Sequence, residues 1–315
     1  MPKPEAMHNF RWAFSECAPS MSRLMAIASA STAAAAAGLG NHQSFSTCEG
    51  NDNVAISKAG FTALKVSKNE VIGKNVHKVT LDFPNPSHVL GMTSAGMLMV
   101  QGDKRDGSGS IARPYTPVSR NDTVGKLELV VKDYPDVGNV SSYVCRAPIG
   151  SSISVKGCFT KIEVLPNKWK KVGMISGGSG LTPCLQVAEE LLSHPEDRTE
   201  ITLIFCNSSP EAIFLKEHID GLVSRSNGRF KVHYCVDAAE GAWDGLTGYV
   251  TESMVKEYLP APEGDDNIIM VCGPPPMYKA ICGPKVFPKG KPPSQGEVSG
   301  ILKNLGFTSG AVFKF

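Results

Sequence analysis

The sequence lacks the cysteine patterns that would indicate a disulfide framework or a metal centre. Its nine cysteines contain no C-x-x-C pair, which argues against a structural zinc site. The plant-type iron–sulfur spacing, C-x4-C-x2-C, is absent as well. No internal repeat is present. Scattered thiols of odd number fit a reducing compartment best.

Strong charge of either sign is also missing. The formal net charge is +2, so the composition does not favour nucleic acid as a partner. The hydrophobic fraction of 42% is that of a globular protein. A length of 315 residues predicts about two domains. We assign residues 1–57 to a targeting or anchor segment with a linker, 58–162 to a first domain and 170–315 to a second.

The N-terminal segment differs in composition from the remainder. Leu24 to Gly40 is uncharged and rich in alanine, and Arg11 and Arg23 precede it. Three interpretations compete: a targeting presequence, a weak membrane anchor, or an ordered helix of the globular body. We favour targeting, with a mitochondrial membrane ahead of the endoplasmic reticulum. Whether residues 1–40 are cleaved stays open.

Short strand-like runs dominate the first domain. Gly, Pro and Asn turns separate them, which predicts a sandwich or small barrel. The runs are 61–67, 75–83, 97–101, 126–132 and 152–156. A short helix is predicted from Ser141.

The stretch from 113 to 119 carries the most specific chemistry of the first domain. Pro114 and Pro117 hold it extended and remove two N–H donors. Arg113 can clamp phosphate oxygens, Tyr115 offers an aromatic face, and Thr116 has a hydroxyl that can reach a ring nitrogen. This set suits a ligand with a phosphate and a flat heteroaromatic ring. The alternative is an edge strand with an exposed arginine.

A second candidate lies where the short helix begins. Gly138 is followed by Asn139, Val140 and Ser141. A helix opening on such residues offers free N–H groups and hydroxyls to a pyrophosphate. The alternative is an ordinary helix cap.

Strands and helices alternate through the second domain. This order predicts a parallel sheet covered on both faces. The predicted strands are 171–176, 201–206, 230–236 and 267–272, and the predicted helices are 184–194, 211–224, 252–259 and one after Met277. Thr182 is the predicted N-cap of the first of these helices, with Pro183 as its first residue.

Three loops of this domain fall at the carboxyl ends of strands, where open parallel sheets bind ligands. They are Gly177–Gly180, Asp237 and Cys272–Met277. A carboxylate at the position of Asp237 can accept hydrogen bonds from a ribose diol and would repel a 2′-phosphate, which favours NADH over NADPH. The alternative is a loop aspartate that caps a turn. Cys272 either lies beside a nicotinamide or is a small buried residue.

These residues together resemble the NADH–cytochrome b5 reductase family of the ferredoxin–NADP reductase-like flavoproteins. The resemblance covers roughly Phe61 to Phe315 and depends on six motifs in a fixed order. They are Arg113-Pro-Tyr-Thr-Pro-Val-Ser119, Val130-Val-Lys132 with Tyr134-Pro135, Gly138-x-x-Ser141, Gly177-Gly-x-Gly-x-Thr-Pro183, Cys272-Gly-Pro-Pro-Pro-Met277 and Val312-Phe313-Lys314-Phe315.

The resemblance implies a two-domain fold, an antiparallel β-barrel that binds FAD followed by a Rossmann-like α/β domain that binds NADH. It implies an FAD site formed by Arg113, Pro114, Tyr115, Thr116, Val130, Lys132, Gly138, Val140, Ser141 and Thr182. It implies an NADH site formed by Gly178, Ser179, Gly180, Asp237, Cys272, Gly273, Pro274 and Met277. Thr116, Lys132 and Cys272 would lie at the reacting rings, and no metal is implied.

The implied activity is hydride transfer from NADH to FAD, followed by single-electron transfer to cytochrome b5 or a similar haem protein. We separately expect a monomer, which can associate with a membrane through its N-terminal segment. Other reductases of the superfamily, such as modules of nitrate reductases or partners of oxygenases, are one alternative. A protein that binds NADH without transferring electrons is the other.

Overall fold

The computed structural model describes residues 53–92, 95–104, 106–239, 241–264, 266–289 and 293–315. The segment on which the targeting and membrane-anchor hypotheses depend lies outside these residues. Within the described ranges, no helix is both long enough and apolar enough to cross a membrane.

The first half of the described chain is an antiparallel sheet of six strands. The strands are β1 (Thr62–Gly73), β2 (Val76–Asp82), β3 (Ala95–Asp103), β4 (Ser110–Tyr115), β5 (Lys126–Lys132) and β6 (Ser152–Ile162), and the short helix α1 is Val140–Cys145. Their order in the sheet is β4-β3-β6-β1-β2-β5. Alternate residues such as Leu64 and Val66 are fully buried, because one face of each strand turns inward. The predicted strands are therefore confirmed.

The sheet closes into a barrel through the residues that follow β4. Pro117 forms a bridge with Leu129 of β5. Val118 N–H donates to the Glu128 carbonyl at 2.9 Å, and Glu128 N–H donates to Ser119 Oγ at 3.0 Å. The two edge strands are thus joined, which removes the open edges of the sheet. The 113–119 stretch therefore both ends β4 and closes the barrel.

The second half is a parallel sheet with helices on both faces. Its elements are β7 (Lys171–Gly177), α2 (Leu181–Ser193), β8 (Glu200–Asn207), α3 (Lys216–Arg225), β9 (Phe230–Val236), β10 (Leu246–Thr247), α4 (Glu252–Tyr258), β11 (Asn267–Cys272), α5 (Pro275–Ile281), α6 (Gly300–Asn304) and β12 (Val312–Lys314). The strand order is β10-β9-β8-β7-β11-β12. The order reverses at β7, which is the position where such sheets bind dinucleotides. The predicted fold class is confirmed.

The predicted start of α2 is wrong. The helix begins at Leu181 with Gly180 as its N-cap, and Thr182 lies inside it. Gly178–Gly180 forms a 3-10 turn that runs directly into the helix, so the helix starts earlier than the Thr-Pro pair indicates. The Thr182 hydroxyl donates back to the Ser179 carbonyl at 3.4 Å.

The predicted helix 211–224 is also wrong at its beginning. Pro210–Ala212 is a separate 3-10 turn, and α3 starts at Lys216. Leu215 has a φ of 56°, a left-handed conformation that an α-helix does not contain. The loop that results buries Phe214, which is 2% exposed.

The barrel and the α/β unit pack against each other through α2. The buried backbone N–H of Gly96 in β3 donates to Gln186 Oε1 in α2 at 2.8 Å. Val76 and Val130 of the barrel belong to the same buried cluster as Leu181 and Leu185. Because this contact lies at the start of α2, it sets the barrel beside the glycine turn.

Candidate active site

The glycine turn and the loop after β11 are packed tightly together at the carboxyl edge of the parallel sheet. Ser176 pairs with Cys272 across β7 and β11. A side chain on Gly177 would come within 2.7 Å of Met277 Sδ, and one on Gly273 would overlap the same sulfur. The Met277 side chain therefore fills the space that a side chain at either glycine would occupy. The structure brings these two predicted loops together.

The glycines of the turn have two different roles. A Cβ on Gly180 would overlap the carbonyl of Cys272, so this residue allows close packing between the loops. Gly178 has a φ of +51°, and a Cβ there would meet nothing within 4 Å. Its backbone is open on the side that faces away from the sheet. An open backbone before a helix N-terminus fits the pyrophosphate of a dinucleotide.

The third predicted loop lies two strands away along the same edge. Asp237 is exposed, and its backbone N–H donates to the Asn207 carbonyl at 2.9 Å. The side-chain amide of Asn207 is buried, and its Nδ2 has no hydrogen-bond partner among the described residues. A buried donor without a partner is unfavourable unless a ligand satisfies it. An exposed carboxylate beside such a donor fits the ribose of a bound nucleotide.

Sequence reasoning missed two residues of this edge. Asn207 ends β8, and only the sheet order shows that it lies beside Asp237. The second is Tyr249, which is 82% exposed. The preceding residue, Gly248, donates its N–H to the carbonyl of Val236 at the end of β9, at 2.8 Å, so Tyr249 lies near the same edge. An exposed aromatic ring at this edge indicates a binding surface. Its exposure is known only from the structure, so the sequence alone did not single out Tyr249.

On the barrel side, β4 presents the predicted phosphate clamp at its exposed edge. Arg113 pairs with Val100 of β3, and its side chain is exposed. Within the described part of the chain, its only hydrogen bond goes from Nη1 to the Ala112 carbonyl at 3.2 Å. The guanidinium is therefore available to a phosphate, and Pro114 next to it is exposed too.

Tyr115 ends β4 and Lys132 ends β5, and both are predicted to contact the flavin. Tyr115 is partly buried beside Cys145, and its burial raises the pKa of the phenol well above the usual value. The phenol therefore stays neutral and can serve as a hydrogen-bond donor. Lys132 Nζ lies 5.8 Å from the centroid of the Tyr134 ring. Thr116 follows Tyr115 directly and is partly buried.

The loop before α1 is shaped by Gly138. A Cβ on this residue would come within 2.8 Å of both Ser142 Oγ and the Tyr134 carbonyl. Ser142 Oγ donates to Asp133 Oδ1 at 2.5 Å, so this hydroxyl is engaged by the protein. The N-cap Asn139 makes no side-chain cap hydrogen bond. Backbone N–H groups of the first turn thus remain for a ligand.

Val140 and Val130 are deeply buried, unlike the exposed Arg113 and Pro114. The Val140 side chain is 1% exposed in the barrel core, so only its backbone can reach a pyrophosphate. Val130 is 4% exposed and packs in the cluster that joins the barrel to α2. Strand β5 contacts the Gly178–Gly180 turn. The barrel therefore adjoins the glycine turn of the parallel-sheet unit at this strand.

Cys272 is the last residue of β11, beside Ser176 of β7. It is partly exposed, and burial raises the pKa of its thiol to about 11. Tyr278 donates its hydroxyl to the Phe315 carbonyl at 2.9 Å, which holds the chain terminus beside β11. The thiol is neutral at physiological pH, so it acts as a small packing group rather than as a nucleophile.

These features fit an oxidoreductase that binds a flavin and a nicotinamide dinucleotide, and two family matches identify that class. Residues 63–164 match the family described as oxidoreductase FAD-binding domain. Residues 174–283 match the family described as oxidoreductase NAD-binding domain. The glycine cradle, the free arginine and the unpartnered amide fit these two cofactors.

Similar proteins narrow the class further. NADH-cytochrome b5 reductase 2 of Emericella nidulans is 40% identical over 256 residues, which cover 81% of this chain and 78% of that protein. The protein of the same name from Scheffersomyces stipitis is 37% identical, covering 90% and 94%. The crystal structure of the cytochrome b5 reductase domain of Ulva prolifera nitrate reductase superposes with a TM-score of 0.70 at 26% identity, covering 83% of this chain and 100% of that chain. The chain belongs to the NADH–cytochrome b5 reductase family and is an FAD-dependent enzyme that oxidises NADH.

Proposed function

We propose that the enzyme passes electrons from NADH through FAD to cytochrome b5 or a similar small haem protein. The observation that carries this proposal is the contact of β5 with the Gly178–Gly180 turn, which sets the barrel with its phosphate clamp beside the nucleotide edge of the parallel sheet. We call the space between these two surfaces the cleft. The names of the two fungal relatives support the choice of acceptor.

Each half of the cleft holds one cofactor. We place the FAD on Arg113, Pro114, Tyr115, Thr116, Val130, Lys132, Gly138, Val140, Ser141 and Thr182. We place the NADH on Gly178, Ser179, Gly180, Asp237, Cys272, Gly273, Pro274 and Met277. Bound FAD supplies the chemistry, taking up a hydride and releasing electrons singly.

The protein contributes position rather than acid–base groups. Arg113 would neutralise phosphate charge, and the Thr116 hydroxyl would donate a hydrogen bond to the flavin ring. Lys132 on the barrel and Cys272 on the parallel sheet would each contact one of the two rings and help to hold the rings together. Holding two reactants in register is a large part of such a rate enhancement.

The phosphate clamp can be tested by its effect on FAD retention. Arg113→Ala removes a charge-assisted contact worth about 1.5 to 3 kcal/mol. We therefore expect the Kd for FAD to rise at least tenfold, measured by fluorescence recovery on dilution. Arg198→Ala is a matched control, because Arg198 is an exposed arginine remote from the cleft whose Nη1 donates to the Pro195 carbonyl at 2.9 Å. Equal FAD loss in both variants would contradict the assignment.

The acceptor is tested by steady-state reduction of purified cytochrome b5 with NADH. We expect rates of cytochrome b5 reduction that saturate with the haem protein and fall with rising salt, as for oppositely charged partners. Ferricyanide serves as the control acceptor. Fast reduction of ferricyanide without reduction of cytochrome b5 would refute cytochrome b5 as the acceptor.

The remaining assignments concern limits and location. We propose domain limits of 58–162 and 170–315, supported by the end of β6 at Ile162 and the start of β7 at Lys171. We propose that residues 1–57 direct the enzyme to a membrane, mitochondrial ahead of the endoplasmic reticulum, and that it acts as a monomer, since one chain supplies both halves of the cleft. A fluorescent fusion of residues 1–57 and analytical ultracentrifugation test these two points.

A further inference from the structure

Two cysteines lie side by side at the nucleotide edge of the parallel sheet. Cys206 of β8 and Cys235 of β9 are directly paired in the sheet register. Paired residues of a parallel sheet have their side chains on the same face, and neighbouring strands are about 4.8 Å apart. Disulfide-bonded cysteines usually have their Cα atoms about 4.4 to 6.8 Å apart. The backbone therefore already places this pair within range of a disulfide.

The two thiols are in contact. A hydrogen bond between them lowers the pKa of Cys235 and raises that of Cys206. The Cys235 thiol also donates to the Gly248 carbonyl at 3.2 Å. Cys206 is partly exposed, whereas Cys235 is fully buried. A reagent from solvent therefore reaches the sulfur of Cys206 before that of Cys235.

The pair adjoins the residues that we assign to NADH. Cys206 pairs with Gly177 on its other side, across β7 and β8. The next residue after Cys206 is Asn207, whose carbonyl accepts from Asp237 N–H at 2.9 Å. A change of strand spacing at the cysteines is transmitted directly to the glycine turn and to this carboxylate.

We propose that Cys206 and Cys235 are a dithiol modification site, which hydrogen peroxide converts into a disulfide that weakens NADH binding. The effect on NADH binding rests on the proposed function, whereas the formation of the disulfide does not. Paired side chains on parallel strands point the same way, so the disulfide would be strained and readily reduced. Such a bond suits a reversible modification rather than a structural crosslink.

The chemistry balances as a two-electron oxidation. One cysteine of the pair, in its thiolate form, attacks one peroxide oxygen, so that an S–O bond forms, the O–O bond breaks and the leaving hydroxide takes up a proton to become water. The sulfur of the other cysteine then attacks this sulfenic acid, forming the S–S bond and releasing the second water. Two thiols and one peroxide thus give one disulfide and two waters.

The site is tested on the full-length holoenzyme treated with one equivalent of hydrogen peroxide. Peptide mapping without reduction is expected to show one crosslinked species that joins the peptides of Cys206 and Cys235 and lacks two hydrogens. Dithiothreitol should remove it. Oxidation that leaves this pair unlinked, and instead modifies the partly exposed Cys272, would overturn the assignment.

The effect on NADH is measured with ferricyanide as acceptor. We expect KM for NADH to rise by about threefold or more on oxidation while kcat changes less. This pattern is expected when the ground state and the transition state lose the same binding energy. Cys206→Ala and Cys235→Ala should each abolish this response. Cys282→Ala should keep the rise in KM. Cys282 is buried in the same apolar cluster as Cys235, but no cysteine is paired to it in the sheet register.

The outcomes separate the two halves of the inference. A crosslink without a change in KM would refute the effect on NADH but not the dithiol site. Equal responses in wild type and both alanine variants would refute the site, and thermal melts of the unoxidised variants show that they are folded. An enzyme that neither holds FAD nor oxidises NADH would refute the proposed function. The dithiol site would still be tested in that case, because mass spectrometry detects the crosslink without any enzyme activity.

Discussion

Replacement of Asp237 tests how the enzyme distinguishes its two possible dinucleotides. The Asp237 carboxylate is exposed at the end of β9, and its backbone is fixed by the hydrogen bond to the Asn207 carbonyl. Asp237→Ser removes one negative charge and leaves that backbone bond in place. The substitution therefore changes the electrostatics of the nucleotide edge with little change in its geometry.

Two effects set the expected magnitude. A charged acceptor of ribose hydroxyls contributes about 1.5 kcal/mol, the low end of the range because the site is open to solvent. A carboxylate about 5 Å from a doubly charged phosphate is repelled by about 1.7 kcal/mol in water, which ionic screening reduces to about 1 kcal/mol. We therefore expect kcat/KM for NADH to fall about tenfold and that for NADPH to rise about fivefold.

The assay is steady-state reduction of ferricyanide with each dinucleotide in turn. Asp244→Ser is the matched control, since Asp244 is an exposed aspartate in the segment that follows β9 and has no contact with Asn207 among the described residues. The control should leave the ratio of the two kcat/KM values unchanged. A ratio that changes less than twofold in Asp237→Ser would refute the ribose assignment.

Three further predictions concern packing and ionisation. Gly180→Ala, which forces a Cβ into the Cys272 carbonyl, should lower the melting temperature and NADH affinity, whereas Gly60→Ala, where a Cβ meets nothing within 4 Å, should change neither. Gln186→Leu leaves the buried N–H of Gly96 without an acceptor and should lower the free energy of unfolding by about 1 to 3 kcal/mol, measured by urea titration; an unchanged midpoint would contradict it. With a thiol pKa of about 11, Cys272 should be alkylated faster up to about pH 11, with about one thiol in a thousand ionised at pH 8; a plateau near pH 9 would contradict this burial.

The fold was largely predictable because its periodic patterns are strong. The runs 126–132, 230–236 and 267–272 coincide with β5, β9 and β11, since buried β-branched residues bounded by turns leave few alternatives. The starts of α2 and α3 were mispredicted, because a glycine turn and a left-handed Leu215 are decided by packing rather than by local preference.

The site was predictable in its parts and not in its assembly. Arg113, Asp237 and the Cys272 loop carry recognisable chemistry, and the parallel-sheet rule places two of them at one edge. Closure of the barrel by Pro117 and the contact of Gln186 with Gly96 depend on partners distant in sequence. The pairing of Cys206 with Cys235 has the same origin, because neither residue is near the other until the strands align.

The central claim is that a flavin held by the barrel is reduced by NADH held on the parallel sheet. The most direct test is a visible absorption spectrum of the purified full-length protein, recorded without oxygen before and after NADH is added. We predict a flavin spectrum that one equivalent of NADH bleaches, that NADPH bleaches much more slowly, and that oxidised cytochrome b5 then restores. A protein that carries no flavin, or a flavin that NADH does not bleach, would contradict the account.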